Sequence, residues 1–161
     1  MGDKTVGEVA GFYNVIKAMG KAPDIIAIRN YGIMREYKTG STYNGKIADI
    51  AVDYDVTTET VRHAIRRIDF IESIGTFESY GNMLYDICAI ILEHDDDPNK
   101  FLTITMTALW MAGITTKTKL KKMSADDFEA LLAGKYMKRA GNSGRDALRY
   151  YRESLKASKK G

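Results

Sequence analysis

Seven residues from Gly40 to Lys46, GSTYNGK, carry the glycine and lysine spacing of a phosphate-binding loop, G-x-x-x-x-G-K. Such a loop cradles phosphates with backbone N–H groups and needs Ser or Thr next to hold magnesium. The next residue here is Ile47, and the residues before the loop have a helical rather than a strand pattern, so nucleotide binding is not expected. A second spacing, Asp95, Asp97 and Asn99, begins like a calcium loop, but the glycine it needs falls on Lys100 and its closing glutamate on Met106. Calcium is therefore not expected either. His94, beside that run, has no second ligand at a useful spacing for zinc. Cys88 is the single cysteine, so it excludes an internal disulfide and a multi-cysteine zinc site. Its place in the apolar run Ile87 to Leu92 reads as core. There is no carboxylate pair placed by an acid/base motif and no Ser-His-Asp arrangement. With two histidines and one cysteine the usual catalytic groups are scarce, and the expectation is a binding protein, not an enzyme, with no cofactor and no metal.

The stretch Ile47 to Ile68, IADIAVDYDVTTETVRHAIRRI, speaks more clearly. Its apolar spacing predicts two short helices, Ile47 to about Tyr54 and Thr58 to about Phe70, joined by a turn at Asp55-Val56. Ile47, Ile50, Ala51 and Tyr54 share one face of the first, and Val61, Ile65 and Ile68 one face of the second. Thr57 is placed to cap the second helix, and Glu59 lies in its first turn, where negative charge suits the helix dipole. This pair resembles the helix-turn-helix of bacterial transcription regulators, with Asp55 at the usual turn glycine. The resemblance implies that the second helix enters the major groove. The outward residues are then Thr58, Glu59, Arg62, His63 and Arg66, with Arg62 and Arg66 reading guanine edges or holding phosphates. Lys46, just before the first helix, joins them as a candidate DNA contact. The competing reading is an ordinary helical pair packed in a core.

Around this pair, Thr5 caps a helix predicted from Val6 to about Met19, and Pro23 opens another, about Asp24 to Tyr37, with Ile25, Ile28 and Ile33 or Met34 inward. Lys38 to Gly45 reads as a polar turn. After Ile74-Gly75, the segment TFESYGN, Thr76 to Asn82, reads as a wing-like hairpin or a plain loop. Met83 to about His94 is a strongly apolar helix, and Asp95 to Asn99 is the expected boundary between two modules, 1–97 and 98–161.

In the second module an apolar helix, Leu102 to Ala112, precedes Gly113-Ile114-Thr115-Thr116. A short helix holds Leu120, and Ser124 with Asp127 makes a capping-box-like start to a helix carrying Phe128, Leu131 and Leu132. Asn142-Ser143-Gly144-Arg145-Asp146-Ala147-Leu148 opens a last helix to about Ala157, followed by KASKKG as a frayed basic tail. This order resembles the C-terminal domain of the bacterial RNA polymerase alpha subunit, a compact helical fold related to helix-hairpin-helix modules that binds DNA and transcription factors. The resemblance puts Asn142, Gly144, Arg145 and Leu148 in the loop that approaches DNA phosphates. A glycine turn at a helix N-terminus lets backbone N–H groups meet a phosphate. The family's further lysine and serine there are Asp146 and Ala147 here, and the Arg and Asn of its first helix fall on Ile104 and Thr107. Several residues are inserted around Gly134 to Lys138. Lys135, Lys138, Arg139, Arg145, Arg149 and Arg152 remain to grip backbone without reading sequence. Trp110, Tyr136, Tyr150 and Tyr151 read as packing residues.

Composition bounds the rest. Hydrophobic residues make up 45% of the 161, and there are only two prolines, so the expected fold is all-α. Residues 1–99 hold 10 Lys and Arg against 16 Asp and Glu, while residues 100–161 hold 14 against 5. An acidic half beside a basic half implies two surfaces with different partners. The helix-turn-helix segment 44–74 is itself acidic by two charges, which argues against affinity built on phosphate neutralisation alone. No leader or membrane-spanning segment is expected, and the lone cysteine suits a reducing cytoplasm. The expectation is a cytoplasmic, homodimeric, DNA-binding transcription regulator. Its basic module would add backbone contacts or meet a protein partner such as RNA polymerase. The alternatives are a protein-binding adaptor of the transcription machinery and a partition-type protein that coats DNA without preference.

Overall fold

The computed structural model describes residues 26–40, 46–94 and 99–160. Among them are eight helices and no strand, so the fold is all-α. In order they are α1 (Ile26–Thr39), α2 (Lys46–Tyr54), α3 (Thr58–Ile74), α4 (Phe77–His94), α5 (Asn99–Met111), α6 (Lys117–Lys122), α7 (Ala125–Ala133) and α8 (Lys135–Lys160). The helix expected at Val6 to Met19 and most of the GSTYNGK loop lie outside the described residues, as does the run Asp95 to Pro98. No helix among the described residues is long and apolar enough to cross a membrane.

Side-chain oxygens set several of the starts. Thr57 accepts from the Thr60 N–H at the head of α3, Thr116 from Lys119 at α6 and Ser124 from Asp127 at α7. Each satisfies an N–H that the helix leaves without an internal partner, an effect worth about 1 kcal/mol.

α5 is the axis of the packing. Leu102, Thr105, Met106, Leu109 and Trp110 are fully buried on it. It packs on α8 and α4, and also touches α1 and α3. α4 also lies along α8. Buried side chains before and after the expected boundary at 95–99 therefore belong to one hydrophobic cluster. Cys88 lies within it, and burial pushes its thiol up to about 12.

The segment TFESYGN is not a hairpin or loop. It opens α4: Thr76 accepts from the Ser79 N–H, and Phe77, Tyr80 and Leu84 are buried at helical spacing. Gly81 falls within this helix, where a β-carbon would overlap the Tyr31 phenol. Tyr31 stacks on Phe77 with centroids 4.6 Å apart and gives its hydroxyl hydrogen to the Phe77 carbonyl. Tyr80 meets Trp110 edge-on at 5.0 Å. This aromatic group joins α1, α4 and α5.

Two other ends differ from expectation. α3 runs to Ile74 rather than about Phe70, because Ile71 stays in phase with Val61, Ala64 and Ile68 and is fully buried. The basic tail is helical to Lys160 rather than frayed.

Gly81→Ala is expected to destabilise the fold by about 1–3 kcal/mol, since the rigid Tyr31 ring must move. Thermal unfolding followed by circular dichroism checks this; an unchanged midpoint would show that α1 and α4 do not make this approach.

Candidate nucleic-acid interface

The turn between α2 and α3 is held by two backbone bonds. The Asp55 N–H reaches the Val52 carbonyl at 3.2 Å, and the Val56 N–H reaches the Ala51 carbonyl at 3.0 Å. That pattern needs a left-handed residue after the helix, usually glycine. Asp55 takes it with φ 55°. Val56 packs half-buried against the core, and Ala51 is buried. α2 and α3 pack on each other and both on α1.

This arrangement gives α3 two faces. Val61, Ala64, Ile68 and Ile71 are buried. Glu59, Arg62, His63 and Arg66 stand on the opposite side with side chains 59%, 51%, 65% and 62% exposed, and Thr58 is half-buried beside them. The charged groups converge on one carboxylate. Glu59 lies 3.7 Å from Arg62 Nη1, 3.4 Å from His63 Nε2 and 3.8 Å from Arg66 Nη2. Arg66 Nη1 is 3.3 Å from His63 Nδ1. Arg62 Nη1 also reaches the Thr58 hydroxyl at 3.4 Å. The sequence placed Glu59 on this face but missed its role as hub. The signal was present: Arg62, His63 and Arg66 follow it by three, four and seven residues, the spacings that meet on one helix face.

Other candidates are placed differently. The Lys46 ammonium is turned to the Tyr37 carbonyl and lies 4.7 Å from the Tyr37 ring centroid. Lys138 and Arg139 are exposed on the first part of α8. α8 breaks at Gly141, whose φ of 75° is left-handed. The turn glycine is thus Gly141, not Gly144, which is buried just beyond the break. Asn142 is exposed and accepts from Arg145 Nη2. Together with Glu129, Asp146 and Arg149 they line an open cleft of about 320 Å³ between α7 and α8. Arg149 Nη2 donates to both Glu129 carboxylate oxygens, at 3.2 and 3.3 Å, so the cleft carries both signs of charge. Arg152 cannot grip a phosphate backbone. It is only 5% exposed, donates to the Met123 carbonyl and lies 4.4 Å over the Phe128 ring. Trp110 and Tyr151 are buried packing residues and Tyr136 is half-buried, whereas Tyr150 is 60% exposed. Among the described residues no group of three or more His, Cys, Asp and Glu is placed to hold a metal ion.

A carboxyl pair, Glu36 and Asp53, lies between α1 and α2. Burial, and then a hydrogen bond to and the charge of Asp53, push Glu36 on α1 up to about 7, while Lys46 pulls the other way. Tyr54 beside them is also raised, chiefly by burial. Comparison with known proteins found no family model, no curated protein and no solved structure that matches the chain.

Two outcomes are expected. Asp55→Gly relieves the left-handed turn and should stabilise by about 1 kcal/mol, raising the thermal midpoint by roughly 2–4 °C; a lowered midpoint would contradict the turn geometry. Glu36 holds its proton to higher pH in the folded chain than in the unfolded one, from an ordinary 4.5 up to about 7. The folded state therefore binds more protons in that window, and stability should fall as pH rises through it. Glu36→Gln should flatten this slope in denaturant titrations run across the window.

Proposed function

We propose that this chain is a DNA-binding transcription regulator that lays the first half of α3 in a major groove. One observation carries the reading: Arg62, His63 and Arg66 stand exposed on a helix whose opposite face is buried and whose start is fixed by a tight turn. In helix-turn-helix complexes the N-terminal residues of the second helix reach base edges. Arginine forks onto the O6 and N7 of guanine. A homodimer would bring two such helices to successive grooves, about 34 Å apart. In this reading the exposed Lys138 and Arg139 of α8 add sequence-independent backbone contacts. The protein-docking alternative is favoured by the acidic balance of residues 44–74, and the same experiment decides between them.

That experiment is binding of the full chain to labelled duplexes over a salt series. Affinity should fall steeply with salt, the log–log slope losing about 0.9 for each phosphate contact removed. Arg62→Ala and Arg66→Ala should each cost about 1–3 kcal/mol on a preferred site and relax the preference there. An adaptor would bind duplex negligibly at every salt concentration, and a DNA-coating protein would lose affinity equally on all sequences.

A further inference from the structure

The Glu59 hub is unusual for a surface meant to meet a polyanion. A carboxylate repels phosphate, yet this one is 59% exposed in the first turn of α3, among the cations that would meet DNA. Exposed ion pairs of this kind add little stability. A carboxylate is acceptor-only, so it needs a donor from the groove. The major-groove edges offer two donor groups, the amino groups of cytosine and adenine. On adenine the amino group sits beside the N7 acceptor, which repels a carboxylate. Cytosine has no acceptor on that edge. Glu59 oxygens lie 3.7 and 3.8 Å from Arg62 Nη1 and Arg66 Nη2. That separation is close to the rise of one base pair, about 3.4 Å. The carboxylate and a guanidinium therefore fit neighbouring base edges at once, and the thread from Arg62 to Thr58 steadies one of them.

Resting on the DNA-binding reading above, we infer that Glu59 sets the target sequence: its carboxylate accepts the exocyclic amino group of a cytosine while Arg62 or Arg66 donates to a guanine edge alongside. The preferred half-site then contains cytosine at one position with guanine in the same or the next pair. Glu59 also suppresses binding where that position offers only acceptors, such as guanine or thymine.

The test is selection of bound duplexes from a random pool, using the full chain and Glu59→Gln. Glutamine has the same size and sits on an exposed position, so the thermal midpoint should stay within a few degrees. Glutamine carries both a donor and an acceptor, which match the N7 and amino group of adenine. The wild-type chain should enrich cytosine at one position beside guanine, and the variant should move that position to adenine while keeping the rest. On two duplexes differing only there, the affinity ratio should shift on the order of tenfold or more. Retention of cytosine by Glu59→Gln, with every other position unchanged, overturns the inference but leaves DNA reading by α3 standing. Binding without any enriched sequence, weakened evenly by Arg62→Ala, also overturns it and reduces the reading to non-specific contact. Absence of duplex binding by the wild-type chain overturns both.

Discussion

One buried hydrogen bond fixes how α3 lies on the rest of the fold. The Trp110 indole is fully buried, and its N–H reaches the Ile71 carbonyl at 3.0 Å. An indole nitrogen has a single donor, and leaving such a buried group without a partner costs about 1–3 kcal/mol. The bond therefore ties the last turns of α3 to the central helix α5. Thr115 and the Trp110 ring come so near the end of α3 that a β-carbon on Gly75 would lie 2.7 Å from Thr115 and 3.1 Å from the ring. From Trp110 the contact continues through Tyr80 to Tyr31 and Phe77, so α1 and α4 are fixed by the same group. α3 has 17 residues, about 25 Å of stiff rod. Anchoring one end and packing Val61 and Ala64 along its length leaves the outer face of the other end with a single direction.

The C-terminal elements support this frame by closing on α5. Asp86 on α4 takes the Lys117 ammonium at 2.6 Å and the Tyr151 hydroxyl at 3.0 Å, linking α4, α6 and α8 through one carboxylate. Burial, then the charge of Asp86 and that hydrogen bond, push the Tyr151 phenol up, so the hydroxyl stays a donor. Arg152 fills a similar part between α8, the Met123 carbonyl and Phe128. Some of the positive charge that makes the C-terminal half basic is therefore spent on holding helices together rather than displayed to solvent.

Much of this was legible in the residues themselves. The apolar periods of Ile47 to Tyr54 and Val61 to Ile68, the Thr57 cap and the Ser124 start are local signals, and local physics realises them. Asp55 was readable as a stand-in for glycine because short polar residues tolerate the left-handed region. What failed depended on partners distant in sequence. The segment Thr76 to Asn82 looks like a hairpin or loop until Tyr31, fifty residues before Gly81, is placed against it. Arg152 looks like a surface cation until Met123 and Phe128 surround it. Glu36 gives no hint of its raised pKa until burial and Asp53 from the next helix surround it. The left-handed residue of α8 proved to be Gly141 rather than Gly144, a choice between two nearby glycines that packing made.

The single thiol gives this chain a built-in clock. Cys88 is wholly enclosed, with its ionisation held up to about 12. Alkylating reagents attack thiolate, which the folded interior withholds both sterically and electrostatically. Labelling can therefore proceed only through openings that expose α4 to water. The rate at which a maleimide is taken up reports how often α4 opens around Cys88, with no engineered probe.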